Sequence, residues 1–163
     1  MNNVTRIAFQ FSIALVSASL AAAPLPKEGP VNTVNCFVGD MTSMESSKDN
    51  QFISGVLYGM RFATTEGGFG DAQTAQCLTQ AHTDATGRNA TGVCIYADAD
   101  GDKVTVDVAG KNGAGKWTYT SGTGKYAGIT GSGEYKSLRK FPAMMQPGKF
   151  GVCNSATGTY KLP

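Results

Sequence analysis

The chain has 163 residues, 14 Lys+Arg against 12 Asp+Glu, a formal net charge of +2 and 41% apolar residues. That length suits one domain. The balance excludes intrinsic disorder, which needs low hydrophobicity with high net charge, and a nucleic-acid partner, which needs a basic footprint.

The N-terminus reads first. Met1–Arg6 carries a single charge, Arg6, and Ile7–Leu20 is an uncharged apolar run that leads into Ala21-Ala22-Ala23. A basic start, a short apolar centre and small residues at the end describe a secretory signal peptide. The run falls short of the ~20 residues of a membrane span; a buried N-terminal helix is the alternative. Pro24 hinders cleavage directly before it, so the cut is expected after Ala21 or Ala22. The division that follows is a signal peptide over residues 1–22, an extended arm over 23–33 and a β-domain over 34–163. No later run has membrane length, so the product is expected to be soluble, in the periplasm or secreted.

Beyond residue 30 the pattern is β. Lys103–Ala109 alternates strictly, with Val104, Val106 and Val108 on one face and Lys103, Thr105 and Asp107 on the other, the signature of a half-buried strand. In chain order the strands are expected at Val34–Gly39, Phe52–Thr64, Thr74–Thr83, Gly92–Ala97, Lys103–Ala109, Lys116–Thr120, Gly133–Leu138 and Phe150–Lys161. Turn chemistry separates them at Glu66–Gly70, Asp84–Asn89, Asp98–Asp102, Gly110–Gly115 and Gly122–Gly133. Asp40–Asn50 is polar and reads as irregular, with room for one helical turn. Eight short strands and no amphipathic helix predict an all-β domain, a single eight-stranded antiparallel barrel with glycine-rich turns and little helix. Eight strands is also the size that just holds one small ligand. Phe52–Phe62 is apolar on both faces, with Phe52, Val56, Tyr58, Met60 and Phe62 on one and Ile53 and Leu57 on the other. Such a strand calls for outer cover from an arm, a loop or another subunit.

Cys36, Cys77, Cys94 and Cys153 are an even set in an exported chain, which favours two disulfides. Three pairings are open. The strand layout prefers Cys77–Cys94, on consecutive strands, and Cys36–Cys153, on the first and last strands of a closing barrel.

The most distinctive stretch is Trp117–Tyr135, in which Gly122-Thr-Gly-Lys-Tyr126 and Gly131-Ser-Gly-Glu-Tyr135 flank a short apolar step. It resembles the glycine-rich hairpin of allene oxide cyclase and dirigent-like barrels. It is similar also to a group of uncharacterised exported bacterial proteins that share this hairpin and a closing Gly-Thr-Tyr-Lys, here Gly158–Lys161. The resemblance implies an eight-stranded antiparallel barrel, often trimeric, with an apolar pocket. It carries no catalytic residue over to this chain.

Other candidate chemistry is sparse. A phosphate cradle needs a helix after the glycines, and a strand follows here. Asp98-Ala-Asp-Gly-Asp102 resembles the start of a calcium loop, but its glycine is fourth where sixth is required and its twelfth position is Ala109; a hairpin turn is the better reading. His82 has no legible catalytic partner. Glu134 suits either a pocket acid or a solvent-facing residue. Met41, Met44, Met144 and Met145 lack the His or Cys set of a copper site. No metal and no cofactor are expected. Lys136–Lys149 sets Arg139, Lys140 and Lys149 around Phe141, Met144 and Met145, between prolines, and is expected to cover one mouth of the barrel. From Lys125 onward there are six basic residues and one acid, while residues 84–107 hold five acids and two bases, a charge asymmetry that steers anionic ligands.

The leading functional reading is binding, without catalysis, of a small apolar or amphipathic molecule inside the barrel. The expected ligand residues are Trp117, Tyr119, Arg139, Phe141, Met144 and Met145. A cyclase or isomerase on the same barrel is the alternative, and a structural or interaction protein with a filled core comes third. Expected partners are the small molecule and further copies of the chain, as a trimer or dimer.

Overall fold

The alternation of Val104, Val106 and Val108 becomes part of the wall of a closed barrel. A computed structural model describes residues 25–142 and 149–163. Eight strands run in order: β1 (Glu28–Ser47), β2 (Asn50–Ala63), β3 (Gln73–Asp84), β4 (Gly87–Ala97), β5 (Lys103–Lys111), β6 (Ala114–Gly122), β7 (Thr130–Pro142) and β8 (Lys149–Lys161). Each pairs antiparallel with the next, and β1 pairs with β8 from Glu28↔Lys161 to Asp40↔Lys149, which closes the sheet. The expected all-β, eight-stranded antiparallel barrel is the fold.

Two segments differ from the reading of the sequence. Residues 28–33, assigned to an arm, are the start of β1, with Val31 and Thr33 buried inside the barrel. Asp40–Ser47, read as irregular, continues β1 as strand and pairs with Val56–Asn50 of β2. Polar residues there have low strand propensity, but the ladder to β2 satisfies their backbone groups, and such pairing outweighs local preference.

Turns are tighter than the composition suggested. Asn112 and Gly113 both have positive φ, 54° and 88°, the two-residue turn whose twist matches a hairpin. In the glycine-rich stretch a short 3-10 turn at Gly124–Tyr126 bridges β6 and β7. Gly133 and Gly158 stand opposite each other on β7 and β8. A Cβ on either would come within 2.6 or 2.5 Å of Cζ2 of Trp117. The indole fills the space that the two missing side chains leave.

The disulfides join the neighbours that the strand layout suggested. Cys77–Cys94 links β3 to β4 and is buried in the interior, whereas Cys36–Cys153 links β1 to β8 on the outer wall. Phe52, Tyr58, Met60 and Phe62 of β2 point outward and stay exposed, beside exposed Leu78, Val93 and Ile95 of β3 and β4. The described N-terminal residues pair with β8 and do not cover this face. Among the described residues no helix is long and apolar enough to cross a membrane.

Candidate functional site

The barrel interior is closed at the end where β2 leaves and β3 enters. The loop Glu66-Gly-Gly-Phe-Gly70 turns back through Gly67 and Gly70, both at positive φ. Asp71 holds it by accepting the N–H groups of Ala63, Gly67 and Ala72; the Gly67 bond is the largest cause of its lowered pKa. Phe69 is thereby turned into the lumen, where it stacks on Tyr160 at 3.7 Å and meets Tyr126 and Tyr119 edge-on at 5.8 and 5.9 Å. Ile129 and Leu162 complete this plug.

A polar layer lies next to the plug. Arg61 of β2 is 3% exposed. Its Nε donates to Asn35 Oδ1 at 3.0 Å, and its Nη1 donates to Gln73 Oε1 at 3.3 Å and to the Tyr119 hydroxyl at 3.5 Å. The guanidinium lies over the Tyr96 ring, 3.5 Å from its centroid. Gln73, fully buried, passes the chain on by donating to the Tyr126 hydroxyl at 3.2 Å. Burial, followed by the hydrogen bond to Asp98, pushes the Tyr126 phenol up to about 12. Burial also raises Tyr119. Arg61 is held by neutral groups alone.

Beyond that layer the lumen opens into a cavity of about 130 Å³. For scale, an apolar cavity of ~150 Å³ holds a benzene molecule. Its walls are Phe37, Leu57, the Cys77–Cys94 disulfide, Val106, Val108, Trp117, Val152 and Ala156, with Asn35, Arg61, Thr79, Tyr96, Tyr135 and Asn154 as polar groups. Burial raises the Tyr135 pKa, so it is a neutral phenol. Among the described residues no carboxylate lines this cavity.

The residues singled out from the sequence scatter. Trp117 lines the cavity, and its Nε1 donates to the Glu134 carbonyl at 3.2 Å. Tyr119 is buried beneath it, edge-on to Trp117 at 5.0 Å and bonded to Arg61. Arg139 is exposed on β7, away from the lumen. Met144 and Met145 lie outside the described residues, as do the surroundings of the Phe141 side chain; the expected mouth cover falls there too. His82 stacks on Phe52 at 4.2 Å on the outer wall and contacts Asn50. Glu134 is exposed. The Asp98–Asp102 loop holds a lysine: Asp98 Oδ1 accepts from the Asp100 and Asp102 amides, and the Lys125 ammonium reaches Asp98 at 2.8 Å and Asp100 at 2.6 Å. Burial raises the Asp98 pKa, but the bonds from Lys125 and Tyr126 outweigh it and the net shift is downward.

Arg61, Asn35 and Gln73 were not singled out from the sequence. The available signal was phase: Arg61 falls on the face of Ile53 and Leu57, so a charge shares the inward stripe of an apolar strand.

No protein family matches the chain, and no curated protein matches it. Among solved structures it is similar to the pterocarpan synthase dirigent protein GePTS1, with a TM-score of 0.51 and 10% identity over 83% of this chain and 92% of that one. The pterocarpan synthase dirigent protein PsPTS1 aligns with a TM-score of 0.49 and 12% identity over 84% and 97%. The first likeness extends to the fold: this is a barrel of dirigent-like architecture.

Proposed function

We propose that the protein binds a small apolar or amphipathic molecule in the barrel lumen without transforming it. The observation that carries this reading is the 130 Å³ cavity, walled mainly by apolar side chains above a fixed polar floor. Ligand sites are characteristically concave and apolar with a few placed polar groups. Among the described residues the lining holds no carboxylate to act as a general base, which favours binding, and the phenols of Tyr96 and Tyr135 are the groups that a cyclase or isomerase would use as acids. Export belongs to the same reading and is supported by Met1–Ala23 and by two disulfides, which persist in oxidising compartments. So does self-association, because Phe52, Tyr58, Met60, Phe62 and Leu78 are large apolar side chains exposed on the outer wall, a feature that marks interfaces.

Native mass spectrometry of the exported protein with the small neutral probe indole tests the reading. One probe per chain is expected, on a dimer or trimer. The variant Ala156→Leu, which extends a lining side chain into the cavity, should lose the probe. A wild type that retains no probe overturns the reading in favour of a filled core, and so does a variant that binds as well as the wild type.

A further inference from the structure

Arg61 is a buried cation without an anion. The chain has 12 Asp and Glu, all within the described residues, from Glu28 to Glu134. None lies within 4.0 Å of Arg61. A buried lysine could escape the cost of desolvation by losing its proton, but a guanidinium does not. Neutral acceptors and the Tyr96 ring offset part of that cost, and the Coulomb deficit stays. Among the described residues Nε and Nη1 are engaged and Nη2 donates to nothing. The free edge of the fork belongs to a residue that lines the cavity.

A second observation lies further along the same cavity. Thr79 Oγ1 is buried there without a hydrogen-bond partner. Arg61 pairs in register with Gln73, and Thr79 is six residues further along β3, roughly 20 Å of strand. The cavity thus has an unpaired cation at one level and an unpaired hydroxyl at another.

We propose that the lumen selects an anionic amphipathic ligand, a carboxylate on a slender apolar body, with the carboxylate on Arg61 and the body along Leu57, Val106 and Trp117. This rests on the lumen being the binding site and adds the charge of what it binds. Arg61 suits the task because Nη2 remains as a charge-assisted donor to a carboxylate oxygen, while Asn35, Gln73 and Tyr119 hold the guanidinium in place before the ligand arrives.

Isothermal titration with two ligands of one shape, 4-phenylbutyrate and 4-phenylbutan-1-ol, tests it at neutral pH. Wild type should bind the acid about 10- to 100-fold more tightly than the alcohol. Arg61→Met should abolish that preference, bringing the ratio of acid to alcohol affinity to about one. Where the methionine variant does not fold, Arg61→Gln, which stays polar among Asn35, Gln73 and Tyr119, must show the same loss. A wild type that binds the alcohol as tightly as the acid overturns the anion inference and leaves the lumen reading standing. Binding of neither ligand removes both. An acid preference that persists in the Arg61 variants also overturns the inference, since another cation then carries it.

Discussion

Toward the β2–β3 loop, Phe69, Tyr119, Tyr126 and Tyr160 meet ring against ring, whereas past Arg61 the inward positions set Phe37, Trp117 and Tyr135 among Leu57, Ala90, Val106, Val108 and Ala156. Both halves hang on the same eight strands with the same alternation. What differs is how side-chain volume is distributed: in one half four aromatic rings fill the lumen together, and in the other the small residues Ala90, Val106, Val108 and Ala156 stand among the aromatic ones and leave it hollow. A barrel of this size is therefore a core or a container according to its inward residues. Here it is one at each end.

The sharpest way to break this comparison is to truncate one residue in each half. Phe69→Ala removes the centre of the plug and should cost about 3–5 kcal/mol in denaturant unfolding. Leu57→Ala borders existing empty space, loses fewer contacts and should fall near the low end of the Leu→Ala range, about 2 kcal/mol. Equal losses would mean that the cavity half is as tightly packed as the plug.

Filling the hollow sharpens the contrast from the other side. Ala156→Leu should stabilise the free protein by about 0.5–2 kcal/mol, the usual range for cavity filling, while it removes probe binding. A destabilised variant would show that the space is not open to an added side chain.

The smallest effect is the response to alkali, and it belongs to the plug. The Tyr126 phenol is raised from 10.0 to about 12. Its contribution to stability is therefore full below pH 10 and is lost as pH rises toward 12. Thermal midpoints of wild type should fall across that window. Tyr126→Phe should fall less, although not to zero, because burial also raises Tyr119 and Tyr160 at the same end. Identical slopes would remove Tyr126 from the closed end's pH response. Asp98 behaves in the opposite sense: its pKa is lowered below 3.8, so its contribution is lost only as acid carries the pH below that value.

Much of the wall was legible before any coordinate. The Val104–Val108 alternation, the glycine-rich turn at Gly110–Gly115 and the cysteine positions each depend on neighbours in sequence or on strand order, so the strand count and the preferred one of three disulfide pairings followed from them. The length of β1 was not legible, since Asp40–Ser47 is strand only because β2 lies alongside it. The candidate site was legible in part. Trp117 stood out as a large aromatic residue among glycines, whereas Tyr119 beside it joined the plug and not the lining.

By itself the sequence determined which residues share a strand face, because the period of two is a property of the extended backbone. Only closure decided which face looked inward and what met there. Arg61, Asn35, Gln73, Tyr96 and Tyr119 come from five strands, and their convergence depends on the register of each ladder. A one-residue slip in any of them would turn its side chain to solvent and leave the guanidinium without that partner. The setting of Arg61 is therefore a product of register, which no local stretch of the chain encodes.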